Sequence, residues 1–246
     1  MSAAALTCDI ALAAVGSTGS LTNLVVGLFM GLSAGAGVSV AHYLGAKREK
    51  EVSGVLHTSI LLSLILGVVV SVIGYVFAPQ MLKLMGNPDD VIEYSTLYIR
   101  IIFLGMPASL VYNYAAAMLR SAGDTKPPLI FLSVSGIANV FLNLVLIIFF
   151  HMGVAGVAIA TVISQILSAT LILLNLMRNQ GLFSFNLKNI DFSWGIFGRM
   201  VLIGLPAGVQ SCAFNVSNAF LQSGVNTFGN DAIAGSTAVS TIENLL

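Results

Sequence analysis

Long stretches of this chain carry no Asp, Glu, Lys or Arg, and five such intervals stand out, at residues 10 to 46, 52 to 82, 101 to 119, 127 to 177 and 200 to 230. A bilayer hydrocarbon core about 30 Å thick is crossed by about 20 apolar residues in a helix. The fourth interval is too long for one crossing, and His151-Met152-Gly153 interrupts it, so it splits into helices at 128 to 150 and 154 to 177. The first interval is also overlong. Gly16-Ser17-Thr18-Gly19-Ser20 is a poor helix interior, which puts the start of that helix near Ser20. The pattern predicts an all-α, polytopic transmembrane bundle of six spans. At the other end, Ala232 to Leu246 is apolar except for Glu243 and too short to cross, as expected of a helix that is cut off.

Composition agrees. The chain is 57% hydrophobic and 8% charged, with a mean hydropathy of +0.96, whereas a soluble domain has roughly a quarter of its residues charged. Soluble enzymes are therefore excluded. The net charge is zero and no basic run exists, which removes nucleic acid as a partner. Cys8 and Cys212 lie in apolar surroundings without CxxC spacing and read as small hydrophobes. Met1 to Asp9 has no Lys or Arg for a signal-peptide n-region, so the N-terminus reads as the stump of a longer chain.

Basic residues in short loops mark the cytoplasmic side. Lys47, Arg48 and Lys50 lie in the first loop, Arg120 and Lys126 in the third, and Arg178, Lys188 and Arg199 in the fifth. These alternate along the chain, so loops 45 to 51, 120 to 127 and 178 to 199 are expected to be cytoplasmic. The first helix then runs from outside to inside.

Two internal echoes suggest a repeated architecture. Gly16-Ser17-Thr18 recurs as Gly235-Ser236-Thr237. RIIFLGMPAS from Arg100 resembles RMVLIGLPAG from Arg199, each with an Arg five residues before a Gly-x-Pro. Pro107 and Pro206 fall inside spans, where proline removes a helical hydrogen bond and bends the rod, so both are hinge candidates.

Gly27, Gly31 and Gly35 repeat every four residues on one face of the first span, with Asn23 a turn earlier, and predict a close-packed seam. Within it, Gly31-Leu32-Ser33-Ala34-Gly35 matches GxSxG formally. Hydrolase chemistry needs a strand-to-helix elbow or a partner histidine. His42 is on the same helix and no acid lies at depth, so no enzyme is expected. Polar side chains in a bilayer are costly unless paired, and stripes of them mark helix contacts or a wet path. Ser135, Asn139 and Asn143 form one stripe, Thr161, Gln165 and Ser168 a second, and Ser211, Asn215, Asn218 and Gln222 a third.

The runs LAAVGSTGSLTNL, GLFMGLSAGAGVSVAHYLGAK, LRSAGDTKPP and FHMGVAGVAIATVISQ together resemble the multidrug and toxic compound extrusion (MATE) family, from about Ile10 onward. The resemblance implies a two-lobed bundle of twelve helices that exports cationic and amphiphilic drugs against an inward gradient of sodium or protons. It makes this chain the second through seventh helices plus the start of the eighth: residues 1 to 193 are an incomplete N-terminal lobe with the inter-lobe loop, and 194 to 246 open the C-terminal lobe. The partners implied are an inner-membrane bilayer, small organic cations and the remainder of the carrier. The chain alone is expected not to transport. No cofactor is implied beyond the coupling ion.

One branch of the family builds a cation or proton site from an Asp on the first helix, an Asn and an Asp one turn apart on the fifth, and a Thr on the sixth. Asn139, Asn143 and Thr161 match the last three by spacing. Asn143 replaces the Asp and cannot titrate, and the first-helix Asp lies in the segment this chain lacks. Another branch has a Glu on the seventh helix, where this chain has no acid between Arg199 and Asp231. Tyr112, Asn113, Gln165, Gln210, Asn215 and Asn218 are candidates for the substrate cavity, with Tyr114 beside them, since aromatic faces attract organic cations. The loop Arg120 to Pro128 reads as a structural turn, and His42, His57 and His151 have no metal-ligand spacing. The rival readings are a flippase for lipid-linked precursors, which wants cationic groups at mid-depth, and a non-transporting membrane scaffold.

Overall fold

The computed structural model describes residues 25 to 84, 89 to 178 and 192 to 226, and every element among them is helical. In chain order these are α1 (Val25–Gly45), α2 (Glu49–Leu84), α3 (Asp89–Leu104), α4 (Met106–Ser121), α5 (Lys126–Ile148), α6 (Gly153–Arg178) and α7 (Trp194–Asn226). Five are long and apolar enough to cross a membrane, and the bent pair α3–α4 makes a sixth. The six predicted spans are therefore present. Both Gly-Ser-Thr echoes, Cys8, Asn23, Lys188, the stretch from Ala232 and the side chains of Asn218 and Gln222 lie outside the described residues.

Sequence chemistry sets the turns. Gly123 has a left-handed φ of 87°, the Gly123 N–H donates to Arg120 O (3.0 Å), and the Asp124 N–H donates to Leu119 O (2.9 Å). This is a Schellman cap, and Pro127 then enters the first turn of α5. The α1–α2 turn repeats the device, Arg48 N–H bonding Tyr43 O at 2.9 Å, but with Lys47 in the left-handed position at φ 57°. His151 and Gly153, at φ 52° and 53°, break α5 from α6 where the sequence predicts it.

The third span differs from expectation. A search for charge-free intervals starts it after Arg100, yet the helix begins at Asp89 and Arg100 lies within it. α3 and α4 are bent by 47° across a break at Gly105, with Pro107 in the first turn of α4. Pro107 packs on Gly67 of α2 so closely that a Cβ at Gly67 would meet its backbone. α7, by contrast, runs through Pro206 without a break among the described residues. Pro79 sits inside α2 in the same way.

The core joins Val40 and Tyr43 of α1, Leu56 of α2, Tyr114 and Met118 of α4, Ile172 of α6 and Met200 of α7. A second cluster, including Leu82, Ile99 and Phe103, packs α2 on α3. The glycine seam of α1 faces α7: Gly31 meets Gly208 and Gly35 meets Gly204, backbone on backbone. The two arginine echoes are structural as well. Arg100 stacks over Tyr75 at 5.0 Å and Arg199 over Tyr43 at 5.3 Å.

Candidate binding cavity

α6 packs along both α4 and α5, while α4 and α5 barely touch each other. The gap between them is a cavity of about 400 Å³, and its wall is polar. α4 contributes Ser109, Tyr112 and Asn113; α5 contributes Ser135 and Asn139; α6 contributes Thr161, Ser164, Gln165 and Ser168. Two of the three predicted stripes therefore converge on one hollow, since residues three and four apart share a helix face.

Most hydroxyls donate to their own helix, so what they can still offer a guest is acceptor oxygen. Thr161 Oγ1 bonds Val157 O at 2.9 Å, Ser164 Oγ bonds Thr161 O at 2.8 Å, Ser168 Oγ bonds Gln165 O at 2.9 Å, and Ser135 Oγ bonds Leu132 O at 3.0 Å. The amides link up. Asn143 Nδ2 donates to Asn139 Oδ1 at 3.1 Å, and Asn139 Nδ2 donates across to Ser164 Oγ at 3.3 Å. Asn139 and Thr161 both line the hollow, whereas Asn143 stands behind Asn139 rather than in the wall. At this place Asn143 Oδ1 and Gln165 Oε1 are buried with no hydrogen-bond donor among the described residues. Buried polar atoms are rarely left so. Oxygen-rich walls of this kind suit a hard cation, which takes several neutral oxygen ligands.

Tyr112 lines the cavity, but its hydroxyl is committed to Pro128 O at 2.8 Å. Asn113 Nδ2 holds Ser109 O at 2.8 Å. Tyr114 points the other way, into an apolar cavity of about 220 Å³ between α1, α2, α4 and α7. The structure does not bring Gln210 and Asn215 to the polar cavity. Gln210 is exposed, and Asn215 lies over Gly27 on the α1 seam. A stripe on one helix does not reveal which neighbour it faces, and α7 packs on α1 and α2 instead. Asn218 is on α7 too. The sequence reading missed Ser164 and Ser109; Ser164 is one helical step from both Thr161 and Ser168, and that spacing was the available signal.

Ser33 Oγ donates to Met30 O at 2.7 Å, as in an ordinary helix. Among the described residues no cluster of His, Cys, Asp or Glu could hold a metal.

Residues 1 to 145 match the MatE family model. The chain belongs to the MATE family. This MATE chain is 31% identical to "Probable multidrug resistance protein YoeA" of Bacillus subtilis (strain 168), covering 94% of the chain and 52% of that protein. It is 27% identical to multidrug export protein MepA of Staphylococcus aureus (strain NCTC 8325 / PS 47), covering 87% and 49%. Among solved structures it superposes on a MATE transporter in the bent conformation with a TM-score of 0.86 at 25% identity, covering 96% of this chain and 53% of that one. An inward-facing MATE family transporter gives 0.81 at 25% identity, covering 96% and 54%. The chain spans about half the length of the relatives it matches. The family is one of membrane transporters, and the helices here form a multi-span membrane bundle.

Proposed function

We propose that these residues form the first lobe, and the start of the second, of a multidrug exporter in the inner membrane, with residue 193 ending the first. It extrudes organic cations and amphiphilic compounds, driven by an inward sodium gradient, and the loops at 45 to 51, 120 to 127 and 178 to 199 face the cytoplasm. Multidrug efflux is supported by relatives such as MepA, named a multidrug export protein. One observation carries the assignment of the cavity: the hollow between α4, α5 and α6 is walled by hydroxyl and amide side chains from all three helices, and one of these, Gln165, has a buried Oε1 that no donor among the described residues satisfies.

Sodium is favoured over the proton because the described residues that line this hollow offer hydroxyl and amide oxygens and include no carboxylate. A neutral oxygen cage can exchange Na⁺ for water without a titrating group. Asn139, Thr161 and Ser164 supply first contacts, and Asn143 holds Asn139 in place. The lack of Lys or Arg in this wall also speaks against an anionic cargo such as a lipid-linked pyrophosphate. The test is efflux of a fluorescent cation, under an imposed sodium or pH gradient, from energised membrane vesicles that hold the whole two-lobed carrier of which these residues are part. Export driven by sodium at fixed pH is expected. Export driven only by the pH gradient overturns the sodium assignment.

A further inference from the structure

Pro79 has no N–H, so the carbonyl four residues earlier in α2, that of Tyr75, loses its helical partner. Arg100 of α3 takes that partner's place: its Nε donates to Tyr75 O at 3.3 Å and its guanidinium lies over the Tyr75 ring. This holds the guanidinium in one place, with its terminal N–H groups uncommitted among the described residues.

That guanidinium opens on a surface cavity of about 630 Å³ between α2 and α3. Its lining follows α3 from Glu93 through Leu97 and Arg100 to Leu104, with Tyr75 and Pro79 supplied by α2. Arg100 and Glu93 are two turns apart on one face of α3, about 10 Å along the axis. Tyr75 lies about 36 Å along α2 from Glu51 at about 1.5 Å per residue, which is headgroup depth on the far side of a core about 30 Å thick. On the deep side of Arg100 the neighbouring surface is apolar and exposed, at Leu104 of α3 and at Val68, Val69 and Val72 of α2.

Apolar walls, then a fixed cation, then a carboxylate reproduce in order the chains, phosphate and ammonium of an aminophospholipid. We infer that this groove binds a phospholipid with a primary-amine headgroup, its phosphate on Arg100 and its ammonium on Glu93. The orientation proposed above makes it an outer-leaflet lipid; the binding itself does not depend on which leaflet it is. Guanidinium and phosphate pair well because the planar fork matches two oxygens. Glu93 then discriminates: a choline cannot donate a hydrogen bond to it, and a glycerol headgroup carries no cation.

Native mass spectrometry of the detergent-purified protein, offered chain-matched phosphatidylethanolamine, phosphatidylcholine and phosphatidylglycerol, tests the inference. The wild type should retain phosphatidylethanolamine about tenfold over the other two. Glu93→Gln, at an exposed position, should erase that preference while keeping phospholipid adducts. Arg100→Gln, which can still donate to the Tyr75 carbonyl, should weaken all three. Equal retention of the three lipids by the wild type, or wild-type adduct patterns in both variants, would overturn it.

Discussion

Asn139 on α5 donates to Ser164 on α6 at 3.3 Å, and among the described residues this hydrogen bond ties the two helices together, side chain to side chain, across the cavity wall. Asn139 also accepts from Asn143, so it is the centre of the small network. Interhelical hydrogen bonds in membranes are worth about 0.6 kcal/mol on average. Asn139→Ala should therefore cost about 1 kcal/mol of stability, and Ser164→Ala about half of that, as read from unfolding in denaturing detergent. Sodium-driven efflux should fall at least tenfold in Asn139→Ala, far more than so small a stability change explains.

Asn143→Asp adds a titratable carboxyl beside a hollow whose described lining has none. Ionised, it supplies the countercharge that neutral oxygens lack; protonated, it does not. Sodium affinity in this variant should be strengthened at high pH, where the carboxyl is ionised, and should fall as the pH drops and the carboxyl takes up a proton. Wild-type affinity should stay flat over the same range. Sodium titrations at several pH values make the comparison.

The α1–α7 seam has no slack. A Cβ at Gly31 would meet the Gly208 backbone, and one at Gly35 would meet the backbone of Gly204 and Met200. Backbone cannot swing aside as a side chain does, so Gly31→Ala or Gly35→Ala should destabilise by about 1–3 kcal/mol. Gly136, although it lines the cavity, has nothing within 4 Å of its Cβ position. Gly136→Ala should be neutral or stabilise by up to about 1 kcal/mol, because alanine is the better helix former. Paired melting curves of the three variants would show the contrast.

At the other end of α1, Arg199 donates to the Tyr43 hydroxyl at 3.1 Å while stacking on its ring. Tyr43→Phe keeps the ring and loses the hydrogen bond, so it should cost about 1 kcal/mol. Tyr43→Ala loses both and opens a cavity, and should cost about 3 kcal/mol or more. Thermal melts of both variants would separate the two contributions.

Much of this was legible in the chain. Charge-free intervals gave the spans, because lipid tolerates few ionised groups, and four-residue spacing gave the Asn139 and Thr161 stripes and the Gly31 seam. Arg100 misled the same reading. Its charge marks the edge of the apolar core and not the end of the helix, which begins at Asp89, and the carbonyl that holds it is exposed by Pro79, a residue the pattern passes over. The α7 stripe misled in another way. Gln210 and Asn215 have the spacing of a wet face, but a single helix does not specify its neighbours. The pairing of α7 with α1 is decided by glycines on both helices, and the gap between α4 and α5 by where α6 packs. Those are tertiary facts, invisible to periodicity.

The claim on which the rest stands is that the hollow between α4, α5 and α6 is open to water and ions. Single cysteines at Ser135, Thr161 and Ser164, in a background with Cys8 and Cys212 replaced by serine, can be exposed to a membrane-impermeant thiol reagent that reacts only where water reaches. Cysteine at Ile137, on the exposed apolar face of α5, is the control. Labelling at 135, 161 and 164, slowed by sodium and absent at 137, is the predicted result. Residues 135, 161 and 164 as unreactive as 137, with or without sodium, would contradict it.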